Sequence, residues 1–509
     1  MPLTQNTIDN VKNLMKQTND NSGALFQGCL FGNAFTEDEE FIGVGEGRVG
    51  EEISDNMYWR WASMSKICGL VFLGIALEEG LISLDDPVSK YIPEFSQINS
   101  YISNAIAVPG QVDKYGTPIY EMVTTTEEGL GDKITIRHLV TMQSGLGYTF
   151  WGIGTTRPLL NLFSTLPTGQ RMISYIQYWD KLYDTGNVLS DSIAPFYHKN
   201  PASVTEIILE RTKHPLLFYP GTDTIYGIDP SVYCAAIGRS IQNKGWTCTP
   251  AQYCQWKLFL PLGMNSTWNA AGGLNPPKDV LNKLTDAYFV RQSNIDGQQG
   301  PNVKLNKTYR CFDSNAQGDG FAYLLLNLDL ISQEQPPISD ALTGGLDASC
   351  VGKLSDLAKI LKLLINKGKY ETIDEKGNKV YKELLKEDTV KFLLSSKVKN
   401  PEMFAFGANT LSLTTPYETW TGGMSKVNDL QSPGIPFPFG NNIYTWGGYF
   451  QNTFIFDTET GNYLISGTQS PLSSWQLTTL PSGNPPTSGF QVNAIKLYQI
   501  LVSNFNGNY

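Results

Sequence analysis

Histidine, paired cysteines and long runs of one character are what this chain lacks, and each absence closes off a class of function. Only three His occur in 509 residues: His138, His198 and His214. No H-E-x-x-H is present, so the spelling excludes a zincin. No G-x-S-x-G is present either, which leaves an α/β-hydrolase elbow unsupported. His214 precedes Pro215, His198 lies in a polar loop, and His138 sits early in a helix that opens at Thr135. These are three poor candidates for a Ser-His-Asp triad, so any hydrolytic chemistry calls for another base. The seven Cys are scattered and odd in number, with no C-x-x-C, which argues against a disulfide framework and a zinc ribbon. That usage fits a reducing compartment. No cluster of ligands has metal-site spacing, so neither metal nor organic cofactor is expected.

Basic runs are absent too. Formal net charge is -10, and no stretch of Lys or Arg suggests nucleic acid or an anionic membrane as a partner. No apolar segment is long enough for a transmembrane helix. The first residues, Met1 to Asn6, show no basic segment followed by an apolar one. A cytoplasmic location is the expectation from this, with a processed secreted form as the alternative. Asn265-Ser266-Thr267 and Asn306-Lys307-Thr308 spell glycosylation sequons, a pattern short enough to arise by chance.

What the chain does have is Trp61-Ala62-Ser63-Met64-Ser65-Lys66, followed by a nearly unbroken apolar run from Ile67 to Leu77. A helix apolar all round is a buried one, and Gly80 suits its C-terminal end. Ser63 falls at the start of that helix and Lys66 on the same face one turn on. Burial favours a neutral amine, and a neutral amine beside a hydroxyl can activate a Ser nucleophile. Backbone N–H groups at the helix start could receive the oxyanion. A capped helix whose Lys snorkels to water is the plainer alternative.

Elsewhere the pattern is coarser. Residues 7–17 read as an amphipathic helix through Ile8, Val11, Leu14 and Met15, and residues 24–33 and 40–45 as strands. Gly45-Glu46-Gly47-Arg48-Val49-Gly50 spells G-x-G-x-x-G, but loop-forming residues follow it, so a turn is expected and a dinucleotide site is the remote alternative. Asp86 before Pro87 reads as an N-cap of a short helix to Tyr91. Residues 96–133 read as an insertion, and residues 148–200, rich in aromatics, as a lid or cleft wall. Thr135 opens a helix that Gly145 should stop. Ser203 with Glu206 spells a capping box, and Thr249-Pro250 opens a helix through Trp256. Ser355 is read as the cap of a helix bearing Leu357, Ile360, Leu361 and Leu364. Tyr444, Trp446, Phe454, Phe456, Tyr463 and Ile465 recur with period two, as in an antiparallel hairpin turning at 458–462. Ser488 is read as capping a C-terminal helix.

Taken in order, several stretches resemble the serine β-lactamase and penicillin-binding protein superfamily. They are Ala62-Ser63-Met64-Ser65-Lys66, Leu77 through Val88, Ile134 through Leu146, Pro220-Gly221-Thr222 with Tyr226, Pro261-Leu262-Gly263-Met264, Gly344-Gly345 and Trp446-Gly447-Gly448. The set is similar to class C β-lactamase-like proteins and their carboxylesterase and transesterase relatives. The resemblance implies an α/β (α+β) fold with an antiparallel sheet flanked by helices. On that reading residues 1–509 form one domain, with the sheet from about 1–62 and 400–509 and a helical part at about 63–399. It also implies an acyl-enzyme on Ser63, Lys66 as its partner, and Tyr226 in proton transfer. Trp446, Gly447 and Gly448 would form the strand edge that receives substrate, with the backbone N–H of Tyr449 in the oxyanion hole.

The chain departs from the lactamase pattern in two places. Tyr226-Gly227-Ile228 lacks the usual Asn, and Trp446 stands where a Lys is usual. The Trp-Gly-Gly form is similar to the esterase branch. Three readings therefore stand: a serine hydrolase or acyltransferase acting on esters, a β-lactamase, and a non-catalytic protein that keeps the fold. Small esters, amides or β-lactams are the implied partners.

Overall fold

The computed structural model describes residues 3–22, 24–113, 117–147, 167–183, 204–269, 277–292, 305–310, 346, 350–399, 418–427, 442–448, 450–469 and 497–503. Among these, nine strands build one antiparallel sheet from both ends of the chain. In chain order they are β1 (Phe26–Asn33), β2 (Glu39–Arg48), β3 (Glu51–Glu52), β4 (Val398–Lys399), β5 (Glu418–Trp420), β6 (Ser425–Val427), β7 (Ile443–Gly447), β8 (Thr453–Asp457) and β9 (Asn462–Gly467). Their spatial order is β4-β5-β6-β7-β8-β9-β1-β2-β3. The register puts Leu30 opposite Ile465 and Trp446 opposite Phe454, so the two ends of the chain meet at the β1–β9 seam.

The period-two pattern separates two cores, because successive strand residues face opposite ways. Leu30, Tyr444, Trp446, Phe454, Phe456, Tyr463 and Ile465 join the main core. Cys29, Phe31, Ile443, Ile455 and Leu464 point the other way, onto Val11 and Met15 of helix α1 (Gln5–Ser22) and onto Leu497, Tyr498 and Leu501 of the helical segment 497–503. The amphipathic stripe read at 7–17 is therefore the face that covers the sheet. Ser488 lies outside the described residues.

Helix α2 (Lys66–Glu78) runs through the main core, with Lys66 through Ala76 all buried. It ends as its sequence suggests. Gly80 takes φ +60, its N–H donates to the Leu77 carbonyl, and the Leu81 N–H donates to the Ala76 carbonyl, which closes the helix end. Further helices are α3 (Ile136–Val140), α4 (Pro167–Tyr183), α5 (Val204–Arg211), α6 (Asp229–Asn243), α7 (Pro250–Cys254) and α8 (Leu354–Ile365), of which α6 packs on α2.

Several local expectations are corrected. The G-x-G-x-x-G stretch is not an open turn, since Gly45 to Arg48 are strand and only Val49-Gly50 turn the chain into β3. A Cβ on Gly45 would fall 2.1 Å from the Leu25 carbonyl oxygen and one on Gly47 2.5 Å from Met57 Sδ, so packing accounts for both glycines. Asp86 is no N-cap. Its carboxylate accepts from the Ser83 N–H and the Tyr91 hydroxyl, and the helical turn after Pro87 spans only Val88–Lys90.

Helix α3 opens at Thr135, with a capping box completed by His138, but stops at Val140 rather than near Gly145. Met142 at φ +57 turns the chain away, and Gly145 lies under the Phe218 carbonyl, 2.6 Å from where a Cβ would stand. Ser355 lies inside α8, where Lys353 holds the cap position without a side-chain bond. The polar insertion contains a hairpin, Ser100–Val112 with Pro118–Thr126. Gln177 of α4 secures it, accepting from the Tyr120 N–H and donating to the Pro118 carbonyl. Thr249 forms the expected cap with Gln252, and the helical turns run on past Trp256 to Phe259. Ser203, Gly344, Gly345, and the lid segment apart from α4 lie outside the described residues.

Candidate active site

A 3-10 turn, Ala62–Ser65, leads into α2 and presents Ser63. Ala62 takes φ +47, a conformation that a residue with a Cβ adopts only at some strain. In this turn Ala62, Met64 and Ser65 are buried while Ser63 keeps part of its surface open. The neighbouring Ser65 is engaged elsewhere, its hydroxyl accepting the Cys350 N–H at 3.0 Å. The Trp61 N–H in turn donates to the Cys350 carbonyl, so the strand at Cys350–Gly352 clamps the turn from one side. Of the two hydroxyls, that of Ser63 is the one beside the open surface.

Lys66, fully buried, sends Nζ to 3.3 Å from Ser63 Oγ. The same Nζ lies 4.6 Å from the centroid of the Tyr226 ring. Tyr226 precedes α6 and is buried. Its phenol oxygen accepts the indole N–H of Trp446 at 3.3 Å. Trp420, at the end of β5, packs edge-on against both rings, 4.8 Å from Trp446 and 6.1 Å from Tyr226, and ties its own N–H to the Val140 carbonyl. Sequence separations of 160 and more thus close into one cluster of hydroxyl, amine, phenol and indole.

The strand edge comes equally close. A Cβ on Gly448 would sit 2.5 Å from the Trp61 carbonyl oxygen and 3.5 Å from the Ser63 nitrogen, so only glycine fits where β7 ends against the turn. Gly447 ends β7 opposite Thr453. Tyr449, expected to lend an oxyanion donor, lies outside the described residues. Trp446, read from the sequence as part of the strand edge that receives substrate, is 3 % exposed and donates its N–H to the Tyr226 oxygen. Ile228 belongs to the main core, its N–H donating to the Gly147 carbonyl.

The histidines serve other ends. His138 Nδ1 accepts the Thr135 N–H in the α3 cap. His214 stands between the Tyr178 hydroxyl and Glu210. Burial holds both imidazoles below the usual histidine range. His198 lies outside the described residues. No group of three or more His, Cys, Asp or Glu among the described residues is arranged to hold a metal ion, and none of the described helices is long and apolar enough to cross a membrane. Sequence reasoning passed over Trp420 and a buried pair, Ser144 with Asp229, whose hydroxyl and carboxylate share a short hydrogen bond. Trp420 carried no motif, and Asp229 follows Tyr226 by three places without any spacing rule to mark it.

Residues 22–194 match the family described as Beta-lactamase. The acyltransferase CalJ of Penicillium decumbens is 28% identical over 179 residues, which span 34% of this chain and 30% of that protein's length. Two solved structures align over nearly the whole chain. Unliganded simvastatin synthase (LovD) from Aspergillus terreus shares 15% identity, with a TM-score of 0.58 over 99% of this chain and 100% of its own. EstCE1, described as a hydrolase with promiscuous acyltransferase activity, shares 14%, with a TM-score of 0.57 over 97% and 98%. Residues 22–194 thus carry the Beta-lactamase family pattern, and the chain has the fold of the serine β-lactamase and penicillin-binding protein superfamily.

Proposed function

We propose that this protein is a serine hydrolase or acyltransferase that forms an acyl-enzyme on Ser63 and prefers esters to β-lactams. The observation that carries the reading is the 3.3 Å contact between Lys66 Nζ and Ser63 Oγ inside a buried cluster that includes Tyr226. Ser63 Oγ attacks the acyl carbonyl carbon, and its proton passes to the Lys66–Tyr226 pair. The carbonyl oxygen becomes an oxyanion beside the Ser63 N–H, with the Tyr449 N–H as the second donor in this scheme. When the intermediate collapses, the leaving alcohol takes the proton back and departs. Water or a second alcohol then attacks the acyl carbon by the same route, which separates hydrolysis from acyl transfer only by the acceptor.

The acyltransferase and hydrolase activities named for CalJ and EstCE1 support this class of chemistry. The indole N–H of Trp446 is committed to Tyr226, so position 446 offers no cation for the carboxylate of a bicyclic β-lactam. The test is intact-mass detection of a fluorophosphonate adduct, with turnover of p-nitrophenyl butyrate. Ser63→Ala should abolish the adduct and lower kcat by several orders of magnitude. Near-native turnover in that variant would overturn the assignment.

A further inference from the structure

A second buried polar cluster lies beside the first. Asp229 opens α6, three residues past Tyr226, and is fully buried. One carboxylate oxygen accepts the Ser144 hydroxyl, while Oδ2 has no hydrogen-bond partner among the described residues and lies 2.8 Å from where a Cβ on Gly227 would stand. Ser144 Oγ also accepts the Leu146 N–H, and the Leu146 carbonyl accepts two bonds from the buried Arg211 guanidinium. The loop Ser144 to Gly147 therefore links Asp229 to Arg211 and packs directly on the Tyr226–Ile228 segment, where the Ile228 N–H meets the Gly147 carbonyl.

We propose that Asp229 is a positioning residue for acyl transfer, its buried carboxyl group balancing the charges of Lys66 and Arg211 and so setting how readily Lys66 gives up its proton. The inference rests on the reading of Ser63 and Lys66 given above. The groups that face Asp229 are Lys66 from α2, Ser144 from the loop after α3, and Arg211 from the end of α5. Behind Arg211 stand Tyr175 and Tyr178 of α4 and His214. A buried carboxylate with one oxygen unbonded is costly. An Asn would accept the same Ser144 hydrogen bond without the charge, so the loop alone does not call for an acid. The start of α6 favours an anion, yet burial outweighs it and pushes the carboxyl up to about 7. Burial thus draws the change of charge toward neutral pH, within the field of Lys66.

The experiment is the pH dependence of kcat/KM for p-nitrophenyl butyrate in wild type, Asp229→Asn and Ser144→Ala, with fluorophosphonate labelling and thermal melts on the same samples. An ionised Asp229 holds the proton on Lys66. Removing its charge should move the acid limb to lower pH by about one unit or more, the effect of one charge at a separation of about 12 Å or less at an effective dielectric of about 20. Ser144→Ala removes a donor to the carboxylate, favours the neutral acid, and should move the limb the same way even if the Asn variant fails to fold. A limb unmoved within about 0.2 unit, with labelling intact and only the melting temperature lowered, would make Asp229 purely structural. Absence of any Ser63 adduct in wild type would instead defeat the underlying reading.

Discussion

Replacing Trp446 by Phe separates its two possible uses. The structure gives the indole one polar contact, the 3.3 Å bond to the Tyr226 oxygen, inside a cage closed by Trp420. Phe keeps most of the ring in that cage and deletes the donor. A bond of this length between neutral groups is worth about 0.5–1.5 kcal/mol, and one to a charged acceptor about 1.5–3 kcal/mol. If Tyr226 gains negative character as it takes the Ser63 proton, the bond strengthens in the transition state. The difference, about 1–2 kcal/mol, corresponds to a fall in kcat of roughly 5- to 30-fold. KM should change by less than about twofold, because the same interaction is not made to substrate.

Steady-state kinetics on p-nitrophenyl butyrate across pH 6–10 give both constants. Loss of the donor should also move any titration of Tyr226 to higher pH, since hydrogen bonding to the phenolate favours it. If KM rises while kcat stays within about twofold, Trp446 contacts substrate and the assignment of its N–H to Tyr226 as a catalytic support is wrong.

Further outcomes follow from the same cluster. Tyr226→Phe keeps the ring beside Lys66 and removes the hydroxyl, so kcat should drop by about 10²-fold or more with the melting temperature nearly unchanged, and unaltered turnover would leave Lys66 acting alone. On one preparation, kcat/KM for p-nitrophenyl butyrate should exceed that for a chromogenic cephalosporin, and the reverse order would restore the lactamase reading. Asp229→Asn should raise stability relative to wild type at pH 8 more than at pH 5. Burial raises this carboxyl from 3.8 to about 7, so the folded chain holds a proton that the unfolded chain has lost. Its stabilising contribution is complete below about pH 4 and is lost as pH rises through about 7. The shift, 7 − 3.8, bounds the effect at ~4 kcal/mol, and thermal melts showing equal differences at both pH values would refute it.

How legible the site was depends on the range of the interaction. Ser63, Lys66 and the apolar residues behind them lie within one short segment, so spacing alone places hydroxyl and amine on one face. The period-two aromatics of β7 to β9 gave the sheet and its inner face, because each residue's direction follows from the one before it. Tyr226 and Gly448 were reached through the resemblance, since no local rule ties either to Ser63. What escaped was contact between distant polar atoms. The bond of Trp446 to Tyr226 crosses 220 positions, that of Ser65 to Cys350 crosses 285, and that of Ser144 to Asp229 crosses 85. Two cap predictions failed for a related reason, while those at Thr135 and Thr249 held. Asp86 and Ser355 have the right residue types, but Asp86 finds Tyr91 and Ser83, and Ser355 falls one residue inside its helix.

The spelling S-x-x-K is thus only part of what would make Ser63 a nucleophile. Ala62 must hold φ +47, and a strained turn persists only when its surroundings over-determine it. Contacts from three other segments do so. The strand at Cys350 binds Trp61 and Ser65. Gly448 brings the end of β7 against the Trp61 carbonyl, and Gly423, in the β5–β6 turn, lies where a Cβ would be 2.7 Å from the Lys66 carbonyl oxygen. Either glycine, given a side chain, would push sheet and turn apart, and because both neighbours are backbone neither can move aside cheaply. The two glycines hold opposite ends of the same four residues against the sheet that carries Trp446. Alignment of Ser63, Lys66 and Tyr226 is therefore a property of the sheet as much as of α2. On that ground Gly423→Ala should lower kcat for p-nitrophenyl butyrate along with the melting temperature, as a change in the turn itself would, and an unchanged kcat with a lowered melting temperature would refute the link.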